Sequence, residues 1–124
     1  SLGGCLTSVK KPPELPVFAY NAGKQEHSLR VMLSSPGSTA VEGLPRSNTR
    51  VLEPSETELM ETAEQTDVDI TVYFEDEGIR GSTDSLEVRS GTATYSENGY
   101  LAVVYDEPID GEYVHLTTLP ENED

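Results

Sequence analysis

The sequence predicts an all-β protein folded as an antiparallel β-sandwich of about seven to nine short strands. Apolar and polar residues alternate in several segments, as they do in strands that are buried on one face. Gly, Pro, Asn and Asp residues separate these segments and favour turns. The length of 124 residues suits one domain with a single core. Because the chain has no Trp, that core has to consist mainly of Val, Leu, Ile and a few Tyr and Phe.

Two strands are predicted near the N-terminus. Residues 15–20 form an apolar run, and Pro16 near its start indicates a sheet edge, where a missing N–H is tolerated. Residues 21–23 have the composition of a turn. In residues 27–34, apolar side chains alternate with polar ones, which predicts a half-buried strand.

The middle of the chain contains one ambiguous segment. Residues 35–48 are predicted to form a long loop and residues 49–53 a short strand. Residues 55–65 fit a helix, since Ser55 and Glu58 match a capping box, or a strand around Leu59 and Met60. We favour the strand because of the family resemblance described below.

The second half of the chain predicts further strands. Every second residue from Val68 to Phe74 is apolar, which is the clearest strand pattern in the sequence, and residues 86–88 predict another short strand. Residues 92–95 and 100–105 flank an Asn-Gly pair and predict a hairpin. Residues 101–104 are apolar on both faces and predict a strand inside a sheet. Residues 112–119 predict the last strand.

The charge of the chain excludes some partners. Eight Lys and Arg residues face 23 Asp and Glu residues, so the net charge is −15. We expect no nucleic-acid partner, because phosphate backbones are bound through clustered Lys and Arg. All three lysines lie at or before Lys24. A Lys-poor acidic surface suits a halophilic protein, because molar salt screens the self-repulsion; the alternative is an acidic domain of ordinary salinity.

Cys5 is the only cysteine and follows Leu2-Gly3-Gly4. This string resembles the lipobox of lipoprotein precursors, in which an apolar residue and two small residues precede a cysteine that is lipidated. The resemblance implies lipid attachment at Cys5 and a place on the extracellular face of the cell membrane. The alternative is an incidental cysteine that behaves as a small apolar residue. One cysteine excludes an internal disulfide.

The predicted organisation has three parts. Residues 1–14 are a lipobox-like start followed by a polar, Pro-rich tether, and residues 15–119 are the β-sandwich domain. Residues 120–124 are an acidic tail that is expected to be disordered. Since no stretch approaches the ~20 apolar residues of a spanning helix, membrane attachment would have to come through the lipid.

Residues 51–56 and 68–78 carry a second resemblance. They are similar to the central strands of small immunoglobulin-like domains in haloarchaeal lipoproteins, where an apolar-x-Pro-small-Glu turn introduces a strand and a second strand ends in an acidic residue and Gly. The resemblance covers about residues 29–78 and implies an immunoglobulin-like sandwich at the cell surface. The turn of that family commonly has Gly where this chain has Ser55.

Acidic clusters are the candidate metal sites. Carboxylates in loops can bind Ca²⁺, but none of these clusters has the spacing of a dedicated calcium loop, and a solvated surface is the preferred interpretation. A further cluster, Asp106 with Asp110, is interpreted in the same way. The weak candidates are Asp67, Asp69, Glu75, Asp76 and Glu77.

Other catalytic or cofactor sites are not predicted. A copper site of the cupredoxin type would have to combine Cys5 with His27 and His115, but Cys5 lies in the predicted tether. The Gly-x-Ser-x-Gly motif and Gly-rich phosphate loops are absent from the sequence. We therefore expect no cofactor and no enzymatic activity.

The sequence predicts a binding or accessory role. The expected function is that of a lipid-anchored cell-surface domain, whose partners are the membrane, through Cys5, and an envelope protein or glycan. The alternative is a small secreted binding protein or enzyme that uses the acidic loops with calcium or another metal. Tyrosines on adjacent strands could form a recognition surface, although ordinary sheet packing is the preferred interpretation. They are Tyr95, Tyr100, Tyr105 and Tyr113.

Overall fold

A computed structural model describes residues 14–37, 40–64, 66–76 and 82–120. This part of the chain contains eight β-strands and no helix. The strands are β1 (Leu15–Asn21), β2 (His27–Ser34), β3 (Arg46–Leu52), β4 (Thr57–Ala63), β5 (Val68–Phe74), β6 (Thr83–Val88), β7 (Tyr100–Ile109) and β8 (Glu112–Thr118).

The strands form two four-stranded sheets that pack as a β-sandwich. The first sheet has the order β4-β1-β7-β8, and the second has the order β3-β2-β5-β6. All neighbours are antiparallel except β1 and β7, which are parallel. Within the described residues β1 and β2 lie in opposite sheets, whereas the first two strands of an immunoglobulin domain share one sheet. The all-β sandwich prediction is confirmed at the level of architecture.

The core lies between the two sheets and is built from alternate residues of the inner strands. In β1, β2 and β5 every second side chain is buried, so the alternation in the sequence matches the inward face. Most of the fully buried side chains are Val and Leu, as expected from the composition. The largest of them is Tyr100.

The ambiguous segment 55–65 contains the strand β4, not a helix. Its residues pair with β1 through Leu59 and Phe18, and Met60 is buried in the core. The turn before it places Ser55 at φ 67°, in the left-handed region. Glycine adopts this region at no steric cost, which explains why a glycine suits the same position of the turn.

Pro16 does not mark a sheet edge, so that prediction is wrong. β1 lies inside its sheet, between β4 and β7. The proline is tolerated because pairing with β7 starts only at Val17, opposite Tyr100. The ladder therefore needs no N–H from Pro16 on that side.

The predicted hairpin of residues 92–95 with 100–105 is also wrong. Residues 92–99 form consecutive turns, with hydrogen bonds from Tyr95 N to Thr92 O and from Gly99 N to Ser96 O. Gly99 has φ 103°, and a Cβ there would overlap the carbonyl oxygen of Pro16. The Asn-Gly pair thus serves a close approach of two chain segments instead of a hairpin turn.

β3 begins earlier than predicted, at Arg46 instead of Thr49. The ladder with β2 continues to the pair Leu33 and Arg46. β3 is an edge strand and most of its side chains are exposed, so its polar sequence resembles a loop. The prediction that residues 101–104 lie inside a sheet is confirmed, since β7 lies between β1 and β8.

The predicted tether at residues 1–14 and tail at residues 120–124 lie almost entirely outside the described residues, as does Cys5. Within the described ranges, no helix has the length and apolarity that a membrane span requires.

Candidate functional site

The outward face of the first sheet carries an apolar surface. In β1 and β7 the side chains that alternate with the buried ones point away from the core. All eight described strands belong to the two sheets, so no further strand of the described chain covers this face. We call the surface the outer patch; it consists of Phe18, Tyr20, Leu59, Leu101 and Val103.

The strand register makes the outer patch continuous. Phe18 lies between Leu59 of β4 and Leu101 of β7, and Tyr20 lies beside Val103. These are directly opposed positions, where side chains on one face contact each other. Leu59 is 47% exposed, which is high for a large apolar residue. The patch is therefore a continuous hydrophobic surface across β4, β1 and β7.

The opposite outer face is polar. The outward residues of β2 and β5 include Arg30 and Tyr73. The Arg30 guanidinium lies 4.1 Å from the centre of the Tyr73 ring and also pairs with Glu75 at 2.7 Å. The outward face of the second sheet also carries Met32 and the 56% exposed Val51, but these stand among polar residues, whereas the apolar residues of the first sheet adjoin one another.

The second feature is a buried histidine between two carboxylates. His27 is 4% exposed, and its Nδ1 lies 2.6 Å from Asp76 Oδ2. Its Nε2 lies 2.7 Å from Asp106 Oδ1. His27 begins β2 and Asp76 follows β5 in the second sheet, whereas Asp106 belongs to β7 in the first sheet. The histidine therefore bridges the two sheets at one end of the sandwich.

Backbone groups hold both carboxylates in place. Ser28 N donates to Asp76 Oδ1 at 2.6 Å, and Lys24 N donates to Asp106 Oδ2 at 2.7 Å. Lys24 lies in the connection from β1 to β2, which Asn21 shapes by donating from Nδ2 to the carbonyl of Gln25. Each carboxylate thus accepts a backbone hydrogen bond in addition to its contact with the imidazole.

The surroundings of His27 favour its charged form. Burial alone would lower its pKa, but the hydrogen bonds to Asp76 and Asp106 outweigh burial and raise the pKa above the ordinary value of 6.5. The pKa of Asp106 is lowered, first by the N–H of Lys24 and then by His27. Since ionised carboxylates only accept hydrogen bonds, both ring nitrogens need a proton. When His27 is protonated, its two contacts are ion pairs.

This arrangement does not resemble an acid–base catalyst. Both nitrogens of His27 are occupied by carboxylates, which leaves neither of them for a substrate. The ring also contacts Phe74, with centroids 5.3 Å apart, and Phe74 stacks on Tyr113. An open cleft of about 600 Å³ lies beside Asp106, lined in part by Lys24, Tyr105 and Ile109. The contacts of His27 therefore link the two sheets, and they lie next to an open cleft.

The structure separates the candidate metal residues. Asp67 and Asp69 lie at the start of β5, and Glu75 and Asp76 lie after its end, about 20 Å along the strand. Asp67 accepts a hydrogen bond from Ser90 N at 3.0 Å. Asp69 Oδ1 contacts Arg89 Nη2 at 2.9 Å without the alignment of a hydrogen bond. Glu77 lies outside the described residues.

The remaining sequence candidates lie apart. Tyr100 is fully buried, and its hydroxyl donates to Thr94 O at 2.9 Å, so it is a core residue and not part of a recognition surface. Tyr105 contacts His115 edge to face, with ring centroids 5.7 Å apart. His115 Nε2 is 2.7 Å from Ile109 O. His27 instead contacts the carboxylates of Asp76 and Asp106. No contact joins the two histidines in the described chain.

Sequence reasoning missed the His27 site and the outer patch. Asp76 and Asp106 are 49 and 79 residues from His27, so no local spacing reports their contact. The outer patch did leave a signal, because residues 101–104 are apolar on both faces. That pattern indicates burial inside a sheet, and it also describes a strand with a core face and a contact face.

Comparison with protein-family models, curated proteins and solved structures gives no significant match for this chain.

Proposed function

We propose that this chain is a non-enzymatic, lipid-anchored domain on the extracellular face of the cell membrane, acting in binding or as an accessory of an envelope complex. The outer patch carries the proposal. Its members are half-buried except Leu59, which is 47% exposed, and they adjoin one another on a chain whose net charge is −15, where contiguous apolar area supports a contact surface.

The proposed location depends on Cys5. The Leu-Gly-Gly-Cys string supports lipid attachment, and the acidic, Lys-poor composition supports a high-salt exterior. The proposed relationship to immunoglobulin-like domains of haloarchaeal lipoproteins is supported by the two-sheet sandwich architecture. That architecture is shared by domains whose strand orders differ.

A non-enzymatic role is supported by the described acid–base groups. Both ring nitrogens of the buried His27 are occupied by Asp76 and Asp106. A domain of this kind offers a sheet face for contact, and the contact is its proposed activity.

Intact mass spectrometry of the product of the full-length precursor, extracted from host membranes with detergent, tests the anchor. The expected species begins at Cys5 and carries added lipid mass. The matched control is Cys5→Ala, which should remain unmodified and leave the membrane fraction. An unmodified wild-type chain in the soluble fraction would overturn the proposed location.

A further inference from the structure

We propose that His27 is the centre of a pH-sensitive switch, in which loss of its proton releases the carboxylate of Asp76 while the contact with Asp106 is retained. The switch lies at the end of the sandwich where β2 begins, and it requires no lipid anchor.

The two contacts of His27 cannot both persist without its added proton. Nδ1 lies 2.6 Å from Asp76 Oδ2, and Nε2 lies 2.7 Å from Asp106 Oδ1. A neutral imidazole has one N–H donor and one lone pair, so it donates to only one of two ionised carboxylates. The other carboxylate then faces a lone pair at hydrogen-bond distance, which is repulsive. Deprotonation therefore breaks one of the two contacts.

Asp106 is the more firmly held of the two carboxylates. Lys24 N donates to its Oδ2 at 2.7 Å, and Gln25 N donates to its Oδ1 at 3.3 Å. The carboxylate also packs directly against Gly23, where a Cβ would overlap it. If Asp106 turned away from the ring, it would have to give up two backbone hydrogen bonds.

Asp76 is held by fewer backbone groups. Ser28 N donates to its Oδ1 at 2.6 Å, and among the described residues its only other partner is His27, which contacts Oδ2. The side chains of Asp76 and Asp106 are similarly exposed, at 22% and 26%, so access to water does not distinguish them. The number of backbone donors does, and it favours a neutral His27 that keeps its proton on Nε2 and releases Asp76.

The charges around the ring set the direction of the switch. Burial lowers the pKa of His27, but the hydrogen bonds and charges of Asp76 and Asp106 raise it by more, above the ordinary value of 6.5. The neighbouring elements carry further charged or titratable side chains that do not bond to the ring. They are Lys24 and Glu26 before β2, Glu53 after β3, Glu75 after β5, Glu107 in β7 and Tyr113 in β8. Release therefore occurs as pH rises above 6.5.

The two carboxylates hold different parts of the molecule. Asp106 holds the connection from β1 to β2, whose residues Lys24 and Gln25 line the open cleft. Asp76 instead joins the end of β5 to the start of β2. Deprotonation of His27 thus loosens the second sheet where β5 ends and leaves the cleft in place.

NMR of the full-length chain across the titration of His27 tests the switch. The ring ¹⁵N shifts should show the proton on Nε2 in the neutral form. The hydrogen-exchange protection of the Ser28 amide, relative to its intrinsic rate at each pH, should fall by about tenfold or more. That of the Lys24 amide should change by less than about twofold. A neutral ring protonated on Nδ1, an unchanged Ser28 amide, or equal losses at both amides would overturn the proposal.

Two variants assign the release to Asp76. In Asp76→Asn the carboxamide can accept from Ser28 N and donate to the Nδ1 lone pair, so the Ser28 amide should stay protected when His27 is neutral. The matched control is Glu75→Gln, because Glu75 pairs with Arg30 at 2.7 Å and should leave the switch unchanged. Loss of Ser28 protection in Asp76→Asn equal to that in wild type would overturn the proposal, as would loss of the switch in Glu75→Gln. The tautomer and the two amides of the wild-type chain are measured without either variant.

Discussion

His27 Nε2 lies 2.7 Å from Asp106 Oδ1, and this contact joins β2, an inner strand of the second sheet, to β7, an inner strand of the first sheet. Together with Asp76 on its other nitrogen, the pair ties both sheets to the connection between β1 and β2. A buried imidazolium between two carboxylates makes the stability of this end depend on pH.

Stability should be highest between the ordinary pKa values of 3.8 for Asp106 and 6.5 for His27. The contribution of His27 is fully present below 6.5, because its folded pKa is raised, and is lost as pH rises through that folded pKa. The contribution of Asp106 is present above 3.8, because its folded pKa is lowered, and is lost as pH falls through it. Urea unfolding measured from below pH 3.8 to above pH 6.5 records the acidic and the alkaline limb of this pH profile, in which stability falls on either side of the maximum.

The alkaline limb should disappear in His27→Gln, which has no imidazole to titrate. The matched control is His115→Gln, since His115 is the other histidine of the chain and should leave the limb in place. A wild-type alkaline limb retained in His27→Gln would assign the pH dependence to other groups.

Gly23→Ala should destabilise the protein by about 1–2 kcal/mol. A Cβ at Gly23 would overlap the Asp106 carboxylate, which Lys24 N and His27 hold in place. The displaced carboxylate should also lower the pKa of His27 relative to wild type, and the imidazole NMR signals report this pKa. An unchanged His27 pKa in Gly23→Ala would contradict the proposed contact.

Ser55→Gly should stabilise the protein by about 1 kcal/mol, because Ser55 holds φ 67° and a non-glycine residue in the left-handed region costs ~1–2 kcal/mol. The residue is exposed, so the change removes little packing. Urea unfolding measures the gain, and Ser55→Ala serves as the control that keeps the strained backbone. A stability of Ser55→Gly no higher than that of Ser55→Ala would show that the turn tolerates Ser without strain.

Stability should rise from low to molar KCl, since salt screens repulsion within a chain of net charge −15. The pair Glu53 and Glu26 shows the effect locally: the pKa of Glu53 is raised, first by a hydrogen bond with Glu26 and then by its charge. Glu53→Gln should therefore raise the melting temperature at low salt and have little effect in molar KCl. Melting temperatures that stay flat with KCl in wild type would contradict the halophilic interpretation.

Calcium should leave the melting temperature unchanged at constant high ionic strength. Asp69 and Glu75 are separated by the length of β5, and each contacts an arginine. Magnesium at the same concentration is the control for a general divalent effect. A rise in melting temperature specific to calcium would favour the metal-dependent alternative.

The sequence predicted strands well where one face is buried. Val68 to Phe74 alternates without exception, and the structure buries every apolar member of that run. β3 was harder to find, because an edge strand with exposed side chains has no apolar alternation. The Asn98-Gly99 signal was misleading, since its glycine is needed for an approach to Pro16 that no local pattern encodes. The His27 contacts likewise depend on which strands meet, and strand order is not written in any single segment.

β1 is the first described strand, and it is also an inner strand with partners on both sides. Its hydrogen bonds to β4 and β7 run across the strand direction. A pulling force applied through the residues before Leu15 would act along β1 and load these bonds together in shear, instead of peeling them apart one at a time. If the proposed lipid tether transmits force from the membrane, β1 is the strand through which that force would enter the sheet.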